Sequence, residues 1–145
     1  KIMKKVLISI VMLMSATALI GRDRPVQYNQ LPAKARTTLD TYYPGVKISY
    51  ATYDNDIIEQ HYEVVLVNGV KIDFRKNGEW RSIDCEREAV PAGLVPAEVA
   101  RFVKANHPDN FVVDINREGI EMEVQLNNGL DMKFTRSGNF KYYDD

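Results

Sequence analysis

The chain has 145 residues and a formal net charge of −1 at pH 7. This length suits one domain, or two very small units that share a core, because an isolated unit of about 60 residues buries too little surface to be secure. A charge so close to zero lacks the positive field that binding to nucleic acid or an anionic membrane requires, so we expect neither partner. Cys85 is the single cysteine, which excludes an internal disulfide bond.

The first 18 residues have the features of a secretory signal peptide. Three lysines (Lys1, Lys4 and Lys5) precede an uncharged stretch over residues 6–20, and Ala-Thr-Ala at 16–18 is the small-x-small pattern that signal peptidase accepts. The alternative is a membrane anchor, but the stretch is shorter than the ~20 apolar residues that cross a bilayer. We therefore predict cleavage between residues 18 and 22, and a periplasmic or secreted protein with no stable membrane span. Residues 19–30 would form a flexible leader.

Two segments predict equivalent helices. Residues 31–44 read LPAKARTTLDTYYP, and residues 95–108 read VPAEVARFVKANHP. Each has a proline in its first turn, where the missing N–H is tolerated, and a second proline that ends the helix. Each helix also has one apolar stripe to bury. The residues of the two stripes are Leu31, Ala35, Leu39, Val95, Val99 and Val103.

Short runs of alternating apolar and polar residues follow each helix, which is the pattern of strands with one buried face. Residues 67–80 (VNGVKIDFRKNGEW) and 127–140 (NNGLDMKFTRSGNF) repeat the same two turns. A three-residue turn that ends in glycine separates apolar from charged side chains, whereas a two-residue turn would mix them. The predicted pairs are Leu66 with Val70, Val64 with Ile72, Tyr62 with Phe74, Phe74 with Trp80, and Phe134 with Phe140. The first strands carry Val46, Ile48 and Tyr50 on one face, and Phe111, Val113 and Ile115 in the second copy.

The sequence therefore predicts an α+β fold in which a helix plus a four-stranded antiparallel meander occurs twice in tandem. One helix over four strands makes a marginal core, so we expect the two units to join into one extended sheet with both helices on the same face. The predicted boundaries are residues 31–85 for the first unit, 86–94 for a linker and 95–145 for the second unit.

A helix segment that opens with Leu-Pro or Val-Pro and ends in proline, followed by Asn-Gly and Gly-x-aromatic turns, resembles the PepSY-like family, described as similar to beta-lactamase inhibitor proteins. The resemblance covers residues 31–145 in two tandem copies. It implies an exported, non-enzymatic domain, and in inhibitor proteins of this architecture the exposed sheet face and loops grip an enzyme. The motifs are structural, so no binding residue of the family can be carried over.

The sequence contains no constellation that would support catalysis, so we predict a protein that is not an enzyme and uses no cofactor or metal. His61 has no nearby Cys or His with which to bind zinc, and we interpret it as a solvent-facing strand residue. The oxygen cluster Asp54-Asn55-Asp56, followed by Glu59, could hold calcium, but the segment lacks the glycine and the distant bidentate glutamate of a calcium loop. An exposed polar loop is the favoured interpretation.

Two surfaces are candidate sites for an unknown protein partner in the cell envelope. One is the sheet face away from the helices, called here the open face, on which we place Ile83 and Tyr143; cross-strand charge pairs that only keep the sheet soluble are the alternative. The other is the loop of the first hairpin, which is longer than its counterpart and in which Tyr53 could anchor a partner; a tolerated insertion is the alternative. The candidate partner-binding residues are Tyr53, Asp54, Asp56, Lys71, Asp73, Arg75, Arg81, Lys133, Lys141 and Tyr143.

The favoured hypothesis for function is an exported protein-binding module that could act as an inhibitor. The alternative is a periplasmic small-ligand carrier or sensor, which would need a pocket between the helices and the sheet.

Overall fold

A computed structural model describes residues 23–144 of the chain. The predicted signal peptide and its cleavage region lie outside the described residues. The helices are α1 (Ala33–Tyr42) and α2 (Ala97–Asn106), with short 3₁₀ turns at Tyr28–Gln30 and Ala92–Leu94. The strands are β1 (Asp23–Pro25), β2 (Ile48–Asn55), β3 (Gln60–Leu66), β4 (Lys71–Arg75), β5 (Trp80–Asp84), β6 (Val112–Asn116), β7 (Met122–Leu126), β8 (Asp131–Phe134) and β9 (Phe140–Asp144). Neither helix in residues 23–144 is long and apolar enough to cross a membrane.

The strands form one open antiparallel sheet in which spatial order follows chain order from β1 to β9. The two units meet where β5 pairs with β6, and at this seam Ile83 lies opposite Ile115 and Asp84 lies opposite Asp114. The predicted α+β fold with an extended sheet is therefore confirmed. The connection from β1 to β2 contains α1, and the connection from β5 to β6 contains α2. All other connections between the described strands are short hairpins, which keeps most sheet contacts local.

Both helices cover the same face of the sheet and share one core with it. Pro32 and Pro96 directly precede the first helical residues, as the sequence predicts. Ala35 and Leu39 of α1, and Val99 and Val103 of α2, are buried against the sheet. The largest side chains with less than 2% exposure include Phe74, Phe134, Ile72, Ile83, Ile115, Met122 and Met132.

The predicted hairpin register is confirmed. Tyr62 pairs with Phe74 and Val64 pairs with Ile72, while the backbone N–H of Leu66 donates to the carbonyl of Val70 at 2.9 Å. Gly69 closes this turn with a φ of 91°, a conformation that a Cβ atom would strain. Phe74 likewise pairs with Trp80, and the equivalent pair in the second unit, Phe134 with Phe140, is also present.

Each unit contains two β-bulges, and their positions are equivalent in the two units. The extra residues are Ser49 and Arg81 in the first unit and Val113 and Lys141 in the second. A bulge inserts one unpaired residue, so every side chain beyond it moves to the opposite face from the one that strict alternation predicts.

In the first unit the bulges overturn two assignments made from alternation. Ile83, which we expected on the open face, has no exposed surface (0%) and pairs with Ile72 on the helix-facing side. Tyr50 lies on the open face opposite Val65, and Ala51 takes the core position beside Val64.

The leader also differs from expectation in the part that the structure describes. Residues 23–25 pair with the outer edge of β2, and Arg24 lies opposite Tyr53. We expected eight strands, but β1 brings the sheet to nine within residues 23–144. Pro25 lacks a donor N–H, and such a residue is tolerated on an edge strand because it removes no central ladder bond.

Candidate binding surface

The open face carries a row of aspartates on both sides of the seam, with Gln125 between two of them. Asp84 pairs with Asp114, while Gln125 pairs with both Asp114 and Asp131, and Asp131 pairs with Asp144. These four aspartates are called the acidic row. Burial, followed by the nearby charge of Asp84, raises the pKa of Asp114 to about 6.

Lysines neutralise part of this charge in the second unit. The Nζ atom of Lys133 contacts Glu123 and lies 3.6 Å from Oδ2 of Asp144. Lys141, the bulge residue of β9, lies 2.6 Å from Oε1 of Glu121. These three ion pairs are partly solvated, so they contribute little to the stability of the fold.

Three carboxylates surround Arg81, the bulge residue of β5 in the first unit. Only 8% of its side chain is exposed, although its partners are more solvated. Its Nη1 atom lies 3.0 Å from Oε2 of Glu59 and 3.7 Å from Oε1 of Glu118, and its Nη2 atom lies 3.8 Å from Oδ2 of Asp73. One guanidinium therefore connects the first hairpins of both units to the open face.

Exposed isoleucines occupy the tips of those two hairpins. The tips are residues 56–59, between β2 and β3, and residues 117–121, between β6 and β7. The exposed fractions are 99% for Ile57, 90% for Ile58 and 89% for Ile120. These isoleucines were not among the predicted site residues, which were charged or aromatic; the pair Ile57-Ile58 in an otherwise polar turn was the signal in the sequence.

Most of the predicted site residues do lie on the open face. Lys71, Asp73, Arg75, Lys133 and Lys141 project from it or from its bulges, as their pairings require. Arg75 donates from Nη2 to the carbonyl of Arg117 at 2.9 Å, which anchors it to the second hairpin tip. Their role in binding a partner stays a prediction.

The structure places three of the predicted residues elsewhere. Tyr53 and Asp54 belong to strand β2, which is paired on both sides, and only Asp56 lies in the loop. The Tyr53 ring packs on Tyr62 with 4.7 Å between centroids, on the helix-facing side of the sheet. Most of the predicted long loop is therefore strand. The end of β2 beyond Ala51 extends the first hairpin, and β1 pairs with this added length.

The sequence prediction also places Tyr143 on the wrong face of the sheet. The bulge at Lys141 places it opposite Met132, on the helix-facing side, where its hydroxyl lies 2.9 Å from Nε2 of His107. Tyr142 takes the open-face position instead and donates to Oε2 of Glu121 at 3.2 Å.

The family follows from comparison with known proteins. The sequence model described as "Putative beta-lactamase-inhibitor-like, PepSY-like" matches residues 60–142. The chain belongs to this family. The PepSY-like resemblance drawn from the helix and turn motifs is thus confirmed, whereas no curated protein matches the chain.

Three solved structures are similar to this PepSY-like protein over 85% of its length. One, described as a putative periplasmic protein from Bacteroides vulgatus, is 36% identical, is covered over 97% of its chain and gives a TM-score of 0.81. A second, described as a putative calcium-regulated periplasmic protein from Bacteroides thetaiotaomicron, is 32% identical, is covered over 97% and gives 0.80. A third, a putative periplasmic protein of unknown function from Bacteroides vulgatus, is 30% identical, is covered over 99% and gives 0.79. The predicted periplasmic location agrees with all three and is confirmed.

Proposed function

We propose that this PepSY-like chain is a non-enzymatic module that binds another protein of the cell envelope, through its two hairpin tips and the adjoining open face. The observation that carries the proposal is the near-complete exposure of Ile57, Ile58 and Ile120. Large aliphatic side chains in water forgo the free energy that burial would give, about 1.5–3 kcal/mol each. A partner that covers the tips would recover it.

The surroundings of the tips support a protein partner. Glu59 and Glu118 flank the isoleucines in sequence, and both lie within 4 Å of the same nitrogen of Arg81. Stable protein interfaces have this anatomy, with an apolar centre and a polar rim. Because Arg81 also contacts Asp73, the rim continues into the charged open face.

An inhibitor role is the finer form of the proposal. The family description likens its members to beta-lactamase inhibitors, and paired hairpin tips with aliphatic ends have a shape that can enter the cleft of a hydrolase. Assays of periplasmic beta-lactamases with an excess of the purified chain test this form directly. Lack of inhibition would exclude that partner class and leave the broader binding proposal to the experiment that follows.

A small-ligand carrier is less favoured. Such a protein needs space between helices and sheet, but Phe74, Phe134, Ile72 and Met132 fill that layer with no exposed surface. A concave site on the open face is lined instead by charged residues that include Asp114, Glu123 and Asp131.

The experiment compares partner capture by matched variants. Ile57→Ser, Ile58→Ser and Ile120→Ser are combined in one protein, and Val67→Ser serves as the control because Val67 is also an exposed aliphatic residue (63%) but lies at the β3–β4 turn. We expect the triple variant to lose at least about tenfold in affinity for a partner isolated with the wild-type protein, while the control binds normally. Equal affinity of both variants would reject the hairpin tips as the contact surface.

A response to calcium is a second candidate function. The neighbour from Bacteroides thetaiotaomicron is described as calcium-regulated, and in the present chain the acidic row places like charges directly opposite each other, which a divalent cation would relieve. We expect millimolar CaCl₂ to raise the melting temperature of the wild-type protein but not that of Asp114→Asn. An equal rise in both proteins, or none in either, would remove this candidate.

A further inference from the structure

Three side chains on the open face, His61, Glu63 and Asp73, form a cluster of potential metal ligands. His61 and Glu63 are two residues apart on β3 and so share a face, and Asp73 of β4 is the direct partner of Glu63. Each residue offers one ligand atom, and these atoms all lie within 4.8 Å of one another. His61 has no Cys or His nearby in the sequence, which argued against a metal site. The potential metal ligands beside it are carboxylates, one of them on the next strand.

Two atoms of this cluster are buried without a partner. Nδ1 of His61 and Oδ1 of Asp73 are shielded from solvent, and neither has a hydrogen-bond partner among residues 23–144. A buried polar atom left unpaired destabilises the fold, because it has lost its hydrogen bond to water and gained none in return. A cation held between the two side chains would satisfy both atoms at once.

The other oxygens of the carboxylates are already oriented by neighbouring groups. The Tyr50 hydroxyl donates to Oε1 of Glu63 at 3.3 Å, and Nζ of Lys71 lies 3.9 Å from the same oxygen. Nη2 of Arg81 faces Oδ2 of Asp73 at 3.8 Å. Outer partners of this kind fix the direction of metal-binding carboxylates, and Oδ1 of Asp73 is left without a hydrogen-bond partner among residues 23–144.

The second unit supplies an internal comparison. At the equivalent positions it has Glu121 directly before β7, Glu123 on β7 and Lys133 on β8, and Lys133 pairs with Glu123 as Asp73 pairs with Glu63. There the lysine ammonium contacts Glu123 directly and provides the positive charge. In the first unit an aspartate replaces that lysine and a histidine replaces Glu121, so the equivalent positions bring two carboxylates and an imidazole, with the Lys71 ammonium 3.9 Å from Glu63.

We propose that His61, Glu63 and Asp73 bind one divalent transition-metal ion, with zinc as the representative. One imidazole nitrogen and two carboxylate oxygens suit zinc and its neighbours, whereas calcium prefers oxygen ligands alone. Zinc bonds such ligands at about 2.0–2.2 Å, so atoms already within 4.8 Å of one another can reach one ion after small side-chain rotations. Water would complete the coordination. The site is separate from the hairpin tips and does not depend on the proposed function.

Calorimetric titration of the untagged protein with zinc chloride at neutral pH tests the site. We expect one ion per chain, and we expect His61→Gln and Asp73→Asn to weaken binding by at least about tenfold. His107→Gln is the matched control, because His107 is the other histidine of the chain and its Nε2 is engaged by Tyr143 on the opposite side of the sheet. This variant should bind zinc as the wild-type protein does.

A second measurement does not depend on whether the variants fold. In NMR spectra of the wild-type protein, zinc should shift or broaden the imidazole signals of His61 and leave those of His107 unchanged. The proposal is overturned if the wild-type protein binds no zinc, if His61→Gln binds as tightly as wild type, or if His107 alone responds. Calcium chloride that displaces zinc with comparable affinity would overturn the assignment to a transition metal.

Discussion

Nη1 of Arg81 lies 3.0 Å from Oε2 of Glu59, which joins the bulge of β5 to the tip of the β2–β3 hairpin. Glu118, from the first hairpin of the other unit, meets the same nitrogen at 3.7 Å. A residue that alternation would treat as one more surface charge therefore holds both apolar tips in a fixed relation. The bulge makes this possible because it turns Arg81 out of the regular ladder.

Loss of Arg81 should destabilise the fold more than loss of an ordinary surface charge. We expect Arg81→Ala to lower the free energy of unfolding by about 2–4 kcal/mol. Removal of this nearly buried guanidinium would leave the Asp73 carboxylate without its cation. Lys141→Ala, at the equivalent bulge of the second unit, should cost much less than Arg81→Ala, since Lys141 is 40% exposed. Urea denaturation measures both, and equal losses would contradict the central position assigned to Arg81.

The two buried phenylalanines provide a test of the sheet register. Phe74 and Phe134 occupy equivalent positions and have no exposed surface. Phe74→Ala or Phe134→Ala should each cost about 3–5 kcal/mol in unfolding free energy. Tyr142→Ala on the open face should cost much less, because Tyr142 is 46% exposed. A loss below about 1 kcal/mol for either phenylalanine would mean that these rings are not in the core.

Two glycines with the same φ separate backbone strain from steric contact. Gly69 and Gly78 both have φ of 91°. A Cβ atom on Gly78 would lie 2.8 Å from Cβ of Pro32 and 2.9 Å from Cβ of Lys34, whereas one on Gly69 would meet only Glu86 at 3.8 Å. Gly69→Ala should therefore cost about 1–2 kcal/mol and Gly78→Ala about 1–3 kcal/mol more, because it displaces the start of α1. Equal melting temperatures for the two variants would contradict the close approach of α1 to this turn.

The acidic row should make stability depend on pH. The pKa of Asp114 is raised to about 6 in the folded state by burial and by Asp84, against about 3.9 when unfolded. Its favourable contribution is therefore complete below about pH 4 and is lost as the pH rises through 6. We expect Asp114→Asn to be more stable than wild type at pH 7.5, by about 1 kcal/mol after allowance for solvent screening.

Other groups also titrate, so the comparison between the two proteins is the informative one. Burial and Glu63 raise the pKa of Asp73 in the same direction, while Arg81 lowers the pKa of Glu59. These contributions are common to both proteins and cancel in the difference. The advantage of Asp114→Asn should vanish near pH 4, and an advantage that is constant from pH 4 to pH 7.5 would exclude Asp114 as its source.

Local patterns predicted the helices and hairpins but not the features that shape the binding surface. Register around Gly69 follows from the turn alone, because only a three-residue turn separates the two faces. The bulges at Ser49 and Arg81 leave no comparable trace in the sequence, so Tyr50 and Ile83 were placed on the wrong faces. Bulges depend on pairing between strands, which a single strand's pattern does not encode.

Long-range pairing explains the remaining differences. Residues 23–25 have no apolar period and become a strand only because β2 offers a free edge. His61 gains its candidate metal partners from the strand-to-strand register, which brings Asp73 beside Glu63. In both cases the deciding contact joins residues that are distant along the chain or lie on different strands.

Site-specific photocrosslinking in the periplasm tests the central claim most directly. A photoreactive amino acid replaces Ile57 or Ile120 at the hairpin tips, or Thr37 or Lys104 on the exposed sides of α1 and α2 as controls. If the tips and the adjoining open face bind a protein partner, both tip positions should yield the same crosslinked product, and the helix positions should yield none. A product that forms only from the helix positions, or equally from all four, would contradict the account.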